Sequence, residues 1–94
     1  VGAYVNRGTY MAELGIHAEA IKDYNKAIKL DPNQSVAYYN RAISKARFMY
    51  TLDACKDLQK ADDLGFTQAG NLMIIKCQRY AVQLGLTTGA TSSK

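Results

Sequence analysis

Between residues 18 and 30, apolar Ala20, Ile21, Tyr24, Ala27, Ile28 and Leu30 recur at short steps, and Lys22, Lys26 and Lys29 fill gaps between them. That is the spacing of a helix with one buried stripe and one wet face. Pro32 stops it, because proline has no N–H to donate and biases the preceding Asp31 away from helical angles. Ala20 and Ala27 share a face and leave room for a second helix to approach closely. Read the same way, the chain predicts helices over about 2–14, 18–30, 36–48, 52–63 and 68–84. Gly15, Gly65 and Gly85 mark stops, Thr67 is the expected N-cap of the last helix, and Ile16 and His17 fall in the first turn. The Thr/Ser/Gly/Ala-rich stretch 87–94 is expected to be a flexible tail after a domain over 1–86.

The layout repeats. Residues 1–34 overlay 35–68 without a gap, and twelve pairs are identical, among them Tyr4/Tyr38, Asn6/Asn40, Arg7/Arg41, Ala20/Ala54, Asp23/Asp57 and Ala27/Ala61. A period of 34 residues is that of a stacked helix-pair solenoid. Arg7 and Asp23 lie about equally far from the turn at Gly15, so a bridge between antiparallel helices is expected there and again at Arg41 and Asp57.

Tyr4, Gly8, Ala20, Tyr24, Ala27 and Pro32, followed by Tyr38, Ala42, Ala54, Leu58 and Ala61, resemble the tetratricopeptide repeat (TPR) family over about residues 1–84. The second unit departs from the pattern, with Phe66 in the proline's place and Met49 in that of the turn glycine. The resemblance implies an all-α antiparallel solenoid of two repeats and a closing helix, and a non-catalytic role in binding another protein. The first helix of each pair would line a concave groove. Three sets at i, i+4, i+7 are candidates for that wall: Val5, Thr9 and Ala12; Tyr39, Ile43 and Ala46; Met73, Cys77 and Tyr80. Arg47 and Glu13 stand at one end. Some of these residues could equally be core. Asn6 and Asn40 lie beside the face, and an amide can pair with both polar groups of an extended peptide, although each could instead bridge loops. A clamp for a chaperone's terminal carboxylate is not expected, because the matching positions Val5, Thr9, Asn40, Gly70 and Ile74 carry no cation.

Composition narrows the rest. A net charge of +4 broken by interleaved carboxylates is not a nucleic-acid stripe, and no apolar run is long enough to span a bilayer. The one histidine, His17, has no metal-ligand partner at a useful spacing and is expected to face solvent or cap a helix. No catalytic constellation, cofactor motif or metal set is present in the sequence. Cys55 and Cys77 are expected as buried reduced thiols in a cytoplasmic chain, with a disulfide and an oxidising compartment as the alternative. Val1 in place of an initiating Met reads as a segment of something longer. The competing role is self-association, a homodimer or end-to-end stack through Ile74, Ile75 and Val82 on the last helix.

Overall fold

The computed structural model describes residues 2–86; the expected tail over 87–94 lies outside them. Five helices follow in order: α1 (Gly2–Glu13), α2 (His17–Leu30), α3 (Ser35–Lys45), α4 (Leu52–Asp63) and α5 (Thr67–Lys76), then a 3-10 turn (Gln78–Tyr80). No strand occurs among the described residues. Helices α1 and α2 pair, α3 and α4 pair, and α2 on α3 and α4 on α5 continue the stack. The all-α helix-pair solenoid expected from the 34-residue period is the fold observed.

Small residues set the spacing. Ala20, Ala27, Ala37, Ala42, Ala54, Ala61 and Ala69 are all fully buried, with Tyr24, Leu58 and Cys55 filling the volume between them. Leu30 departs from the expected stripe; it lies at the end of α2 and is 60% exposed. Lys22, Lys26 and Lys29 face water.

Glycine ends α1 and α4 by the same device. Gly15 and Gly65 adopt φ of +81° and +102°, where a Cβ would be strained. Ile16 N–H then donates to Met11 O and Gly15 N–H to Ala12 O, and Phe66 and Gly65 do the same to Ala61 and Asp62. These paired bonds satisfy carbonyls that the helix end would otherwise orphan. Between α3 and α4 Met49 replaces the glycine and no non-glycine residue takes a positive φ. Helix α3 therefore stops at Lys45, short of the expected Phe48, and Phe48 is left 88% exposed with the Arg47 guanidinium 4.9 Å from its ring. Thr51 Oγ1 caps α4 by accepting from Ala54 N–H at 3.2 Å.

The predicted interhelical bridges form. Arg7 Nη2 and Nε donate to Asp23 at 2.7 and 3.0 Å, and Arg41 donates to Asp57 at 2.7 and 2.9 Å. The Arg7 guanidinium holds the Asp23 carboxyl below the usual carboxylate range, against the opposing effect of burial. Arg41 also donates to Asn25 Oδ1 at 2.9 Å, tying α3 to the preceding pair. Lys45 adds bonds to Asp53 at 2.7 Å and Asp57 at 3.0 Å.

The C-terminal end corrects the expectation most. Helix α5 stops at Lys76, not near Leu84, and Thr67 is its first residue while Phe66 occupies the N-cap position. Cys77 is joined to Cys55 of α4 by a disulfide, so the expected free thiols are not present. The chain then turns at Gly85, bringing Leu84 into the core at 5% exposure, while Gln59 Nε2 donates to Leu84 O. The bridge is the alternative the sequence left open for these two cysteines.

Closing a 22-residue separation should contribute about 3 kcal/mol through the unfolded chain. Urea unfolding with and without a phosphine reductant is expected to show a loss of about 2–4 kcal/mol on reduction. Equal midpoints would mean that the bridge adds nothing to stability.

Candidate docking groove

Helices α1 and α3 lie side by side as the leading helices of their pairs. Between them opens a cavity of about 240 Å3 lined by Thr9, Ala12, Glu13, His17, Tyr24, Asn40, Ile43 and Ser44. It brings together Thr9, Ala12, Asn40 and Ile43 of the residues expected on this wall. The others are distributed differently. Val5 is half-buried and Asn6 exposed, both outside the cavity. Tyr39 is half-buried, its ring 4.8 Å from that of Phe66. Arg47 is exposed in the turn after α3.

Met73 and Cys77 must be removed from any binding wall, since they are 3% and 0% exposed and Cys77 is bonded to Cys55. Tyr80 is half-buried against the core in the 3-10 turn. The expected row Met73, Cys77 and Tyr80 is not one helical face, because the helix ends before Cys77. Ile74, one repeat on from Asn40 and two from Asn6, is the residue of α5 at that register and is 59% exposed.

Polar groups in the cavity are joined in a short relay. Tyr24 is 1% exposed, and its hydroxyl lies 3.1 Å from Thr9 Oγ1. Asn40 Nδ2 donates to the same Thr9 oxygen at 3.3 Å. Thr9 therefore fixes the amide, and the Asn40 carbonyl oxygen has no partner among the described residues. Burial pushes the Tyr24 phenol up, the Thr9 bond pulls the other way, and the charges of Glu13 and Asp23 add to the rise. His17 does not sit in a solvent-facing turn. It opens α2, is half-buried, and its Nδ1 shares a hydrogen bond with the fully buried Ser44 Oγ at 3.2 Å.

Tyr24, His17 and Ser44 line the cavity beyond the residues expected there. The i to i+34 register could have found the first: Tyr24 and Thr9 carry hydroxyls where the second repeat has Leu58 and Ile43. The contact of His17 with Ser44 crosses from one repeat to the next and has no local signal.

Residues 10–47 match the family model for the TPR repeat. Over that stretch the chain is similar to the tetratricopeptide repeat family. It is 44% identical over 43 residues to the human small glutamine-rich tetratricopeptide repeat-containing protein beta, covering 46% of this chain and 14% of that protein. It is 36% identical over 61 residues to a DnaJ homolog subfamily C member 7 homolog of Dictyostelium discoideum, covering 65% of this chain and 11% of that protein. The chain thus spans a small part of the length of these curated relatives. No solved structure gives a significant match. TPR repeats are generally protein-interaction modules and typically non-catalytic. Among the described residues no helix is long and apolar enough to cross a membrane, and no cluster of three His, Cys, Asp or Glu residues could hold a metal ion.

Removing the Thr9 hydroxyl tests the relay. Thr9→Val keeps the shape but leaves a buried phenol unpaired, which should cost about 1–3 kcal/mol in urea unfolding. No loss would mean that Tyr24 satisfies its hydroxyl elsewhere.

Proposed function

We propose that the α1–α3 face of this TPR segment receives an extended segment of another protein. The observation that carries the reading is the Asn40 amide, whose Nδ2 is held by Thr9 while its carbonyl oxygen is open at the cavity. An acceptor held in one orientation suits a backbone N–H of an extended chain. Beside it Ile43, 37% exposed, and Ala12 offer apolar surface. Burying one aliphatic side chain of the partner there contributes about 1.5–3 kcal/mol before ordering costs. Ile74 extends the apolar surface at the next repeat position. The partner carries no chemistry to be transformed, and no cofactor or metal is involved. A free carboxylate is not the anchor, since Gly70 is buried, Ile74 is apolar, and Arg7 and Arg41 are engaged with Asp23 and Asp57.

Peptides selected against this chain by phage display test the reading. Their affinity, measured by fluorescence anisotropy, is expected to fall about tenfold in Asn40→Ala and again in Ile43→Asp, the loss of about one hydrogen bond and one apolar contact. Binding unchanged in both variants would place the docking surface elsewhere.

Self-association is a second reading, supported by the exposure of Ile75 at 67% and Val82 at 81% on the closing segment. Sedimentation velocity separates the two. A sedimentation coefficient that rises with concentration and reverts in Ile75→Glu supports association through that end, and a concentration-independent monomer contradicts it.

A further inference from the structure

The cavity between α1 and α3 carries one unbalanced charge. Glu13 is the last residue of α1, and its carboxylate makes no ion pair among the described residues. No Lys or Arg lines the cavity. The cations of α1, α3 and the turn after α3 are engaged elsewhere: Arg7 is bonded to Asp23, Arg41 to Asp57 and Asn25, Lys45 to Asp53 and Asp57, and Arg47 lies on the Phe48 ring. The Glu13 charge is felt inside, since it helps raise the Tyr24 phenol. The Asn40 carbonyl adds an open acceptor to the same space. The Glu13 carboxylate and the Asn40 amide oxygen are thus open acceptors, His17 is turned to Ser44 through Nδ1, and Ala12, Ile43 and the Tyr24 ring supply apolar wall.

We propose that this cavity selects a basic side chain, lysine or arginine, from the bound protein segment, a step that rests on the groove reading above. The cavity's 240 Å3 equals the room of about eight water molecules, enough for an aliphatic stem. The stem lies along Ala12 and Ile43, and the cation reaches the Glu13 carboxylate at the rim. Long basic side chains are suited to this division, with an apolar shaft and a charged head left close to water. A charge-assisted hydrogen bond to Glu13 or to the Asn40 carbonyl then fixes the register of the partner along the wall.

The test uses small probes and the 15N-labelled chain. Nα-acetyl-lysine N-methylamide is titrated and amide shifts are followed, with the norleucine and glutamate analogues as controls. Saturable shifts at Glu13, Ile43 and Ser44 are expected with the lysine probe, and affinity about fivefold weaker with norleucine, the size of a partly solvated ion pair. Glu13→Gln, a change at an exposed helix end, should erase the difference between lysine and norleucine. Equal affinity for the two probes, tighter binding of the glutamate probe, or no shifts at these residues overturns the proposal. Equal shifts from norleucine and lysine would still leave the groove standing. Selected peptides indifferent to Asn40 and Ile43 would remove the groove itself, so the two failures are distinguishable.

Discussion

The packing of Tyr24 against Gly8 is the constraint on which the first repeat and its proposed docking face depend. A Cβ at Gly8 would come within 2.8 Å of the Tyr24 ring, closer than real side chains approach. The absent side chain lets the ring pack against α1, fully buried, with its hydroxyl delivered to Thr9. Thr9 in turn holds Asn40 on the next pair. A steric allowance inside one repeat is thereby passed by two hydrogen bonds to the surface between repeats. The Arg7–Asp23 bridge sets the height at which α1 meets α2, and the better covered Arg41–Asp57 bridge does the same for α3 and α4. A pair that reaches the surface, as Arg7–Asp23 does, contributes little energy, and its service is to fix register.

The second repeat answers the same geometry with different chemistry. Ala42 stands for Gly8, Leu58 for Tyr24, Ile43 for Thr9 and Ile74 for Asn40. The Tyr24 and Thr9 hydroxyls and the Asn40 amide of the first junction are replaced by hydrocarbon at the second. The wall is therefore polar and hydrogen-bonding between α1 and α3, and apolar toward α5. In the proposed docking mode, a segment lying along it would meet the open Asn40 oxygen at one end and exposed Ile74 at the other. That gradient gives the face a direction, which a uniformly apolar groove would lack.

Local signals in the sequence carried most of the architecture. The 34-residue register, the alanine spacing, Gly15 and Gly65, and the paired Arg and Asp residues each act over a turn or between neighbouring helices, so the fold could be read from them. The binding face was harder. A set at i, i+4, i+7 names residues that share a helical side but not which side meets water. Tyr39 sits half-buried against Phe66, and Met73 is inside the core. The end of α5 was misread because its cause is distant: Cys77 is held by Cys55 across 22 residues, and no propensity near Lys76 announces that. The early end of α3 was half visible, since the missing glycine at Met49 was noted, but where the helix would give way instead depended on the whole turn.

A crystal structure of the chain with a selected peptide bound tests the central claim most directly. The account predicts an extended peptide crossing α1 and α3, a backbone N–H donating to the Asn40 carbonyl oxygen, and a side chain filling the space bounded by Thr9, Ala12 and Ile43. A peptide seated on Phe48 and Met49, or on the outer faces of α2 and α4, with the α1–α3 cavity empty, would contradict it.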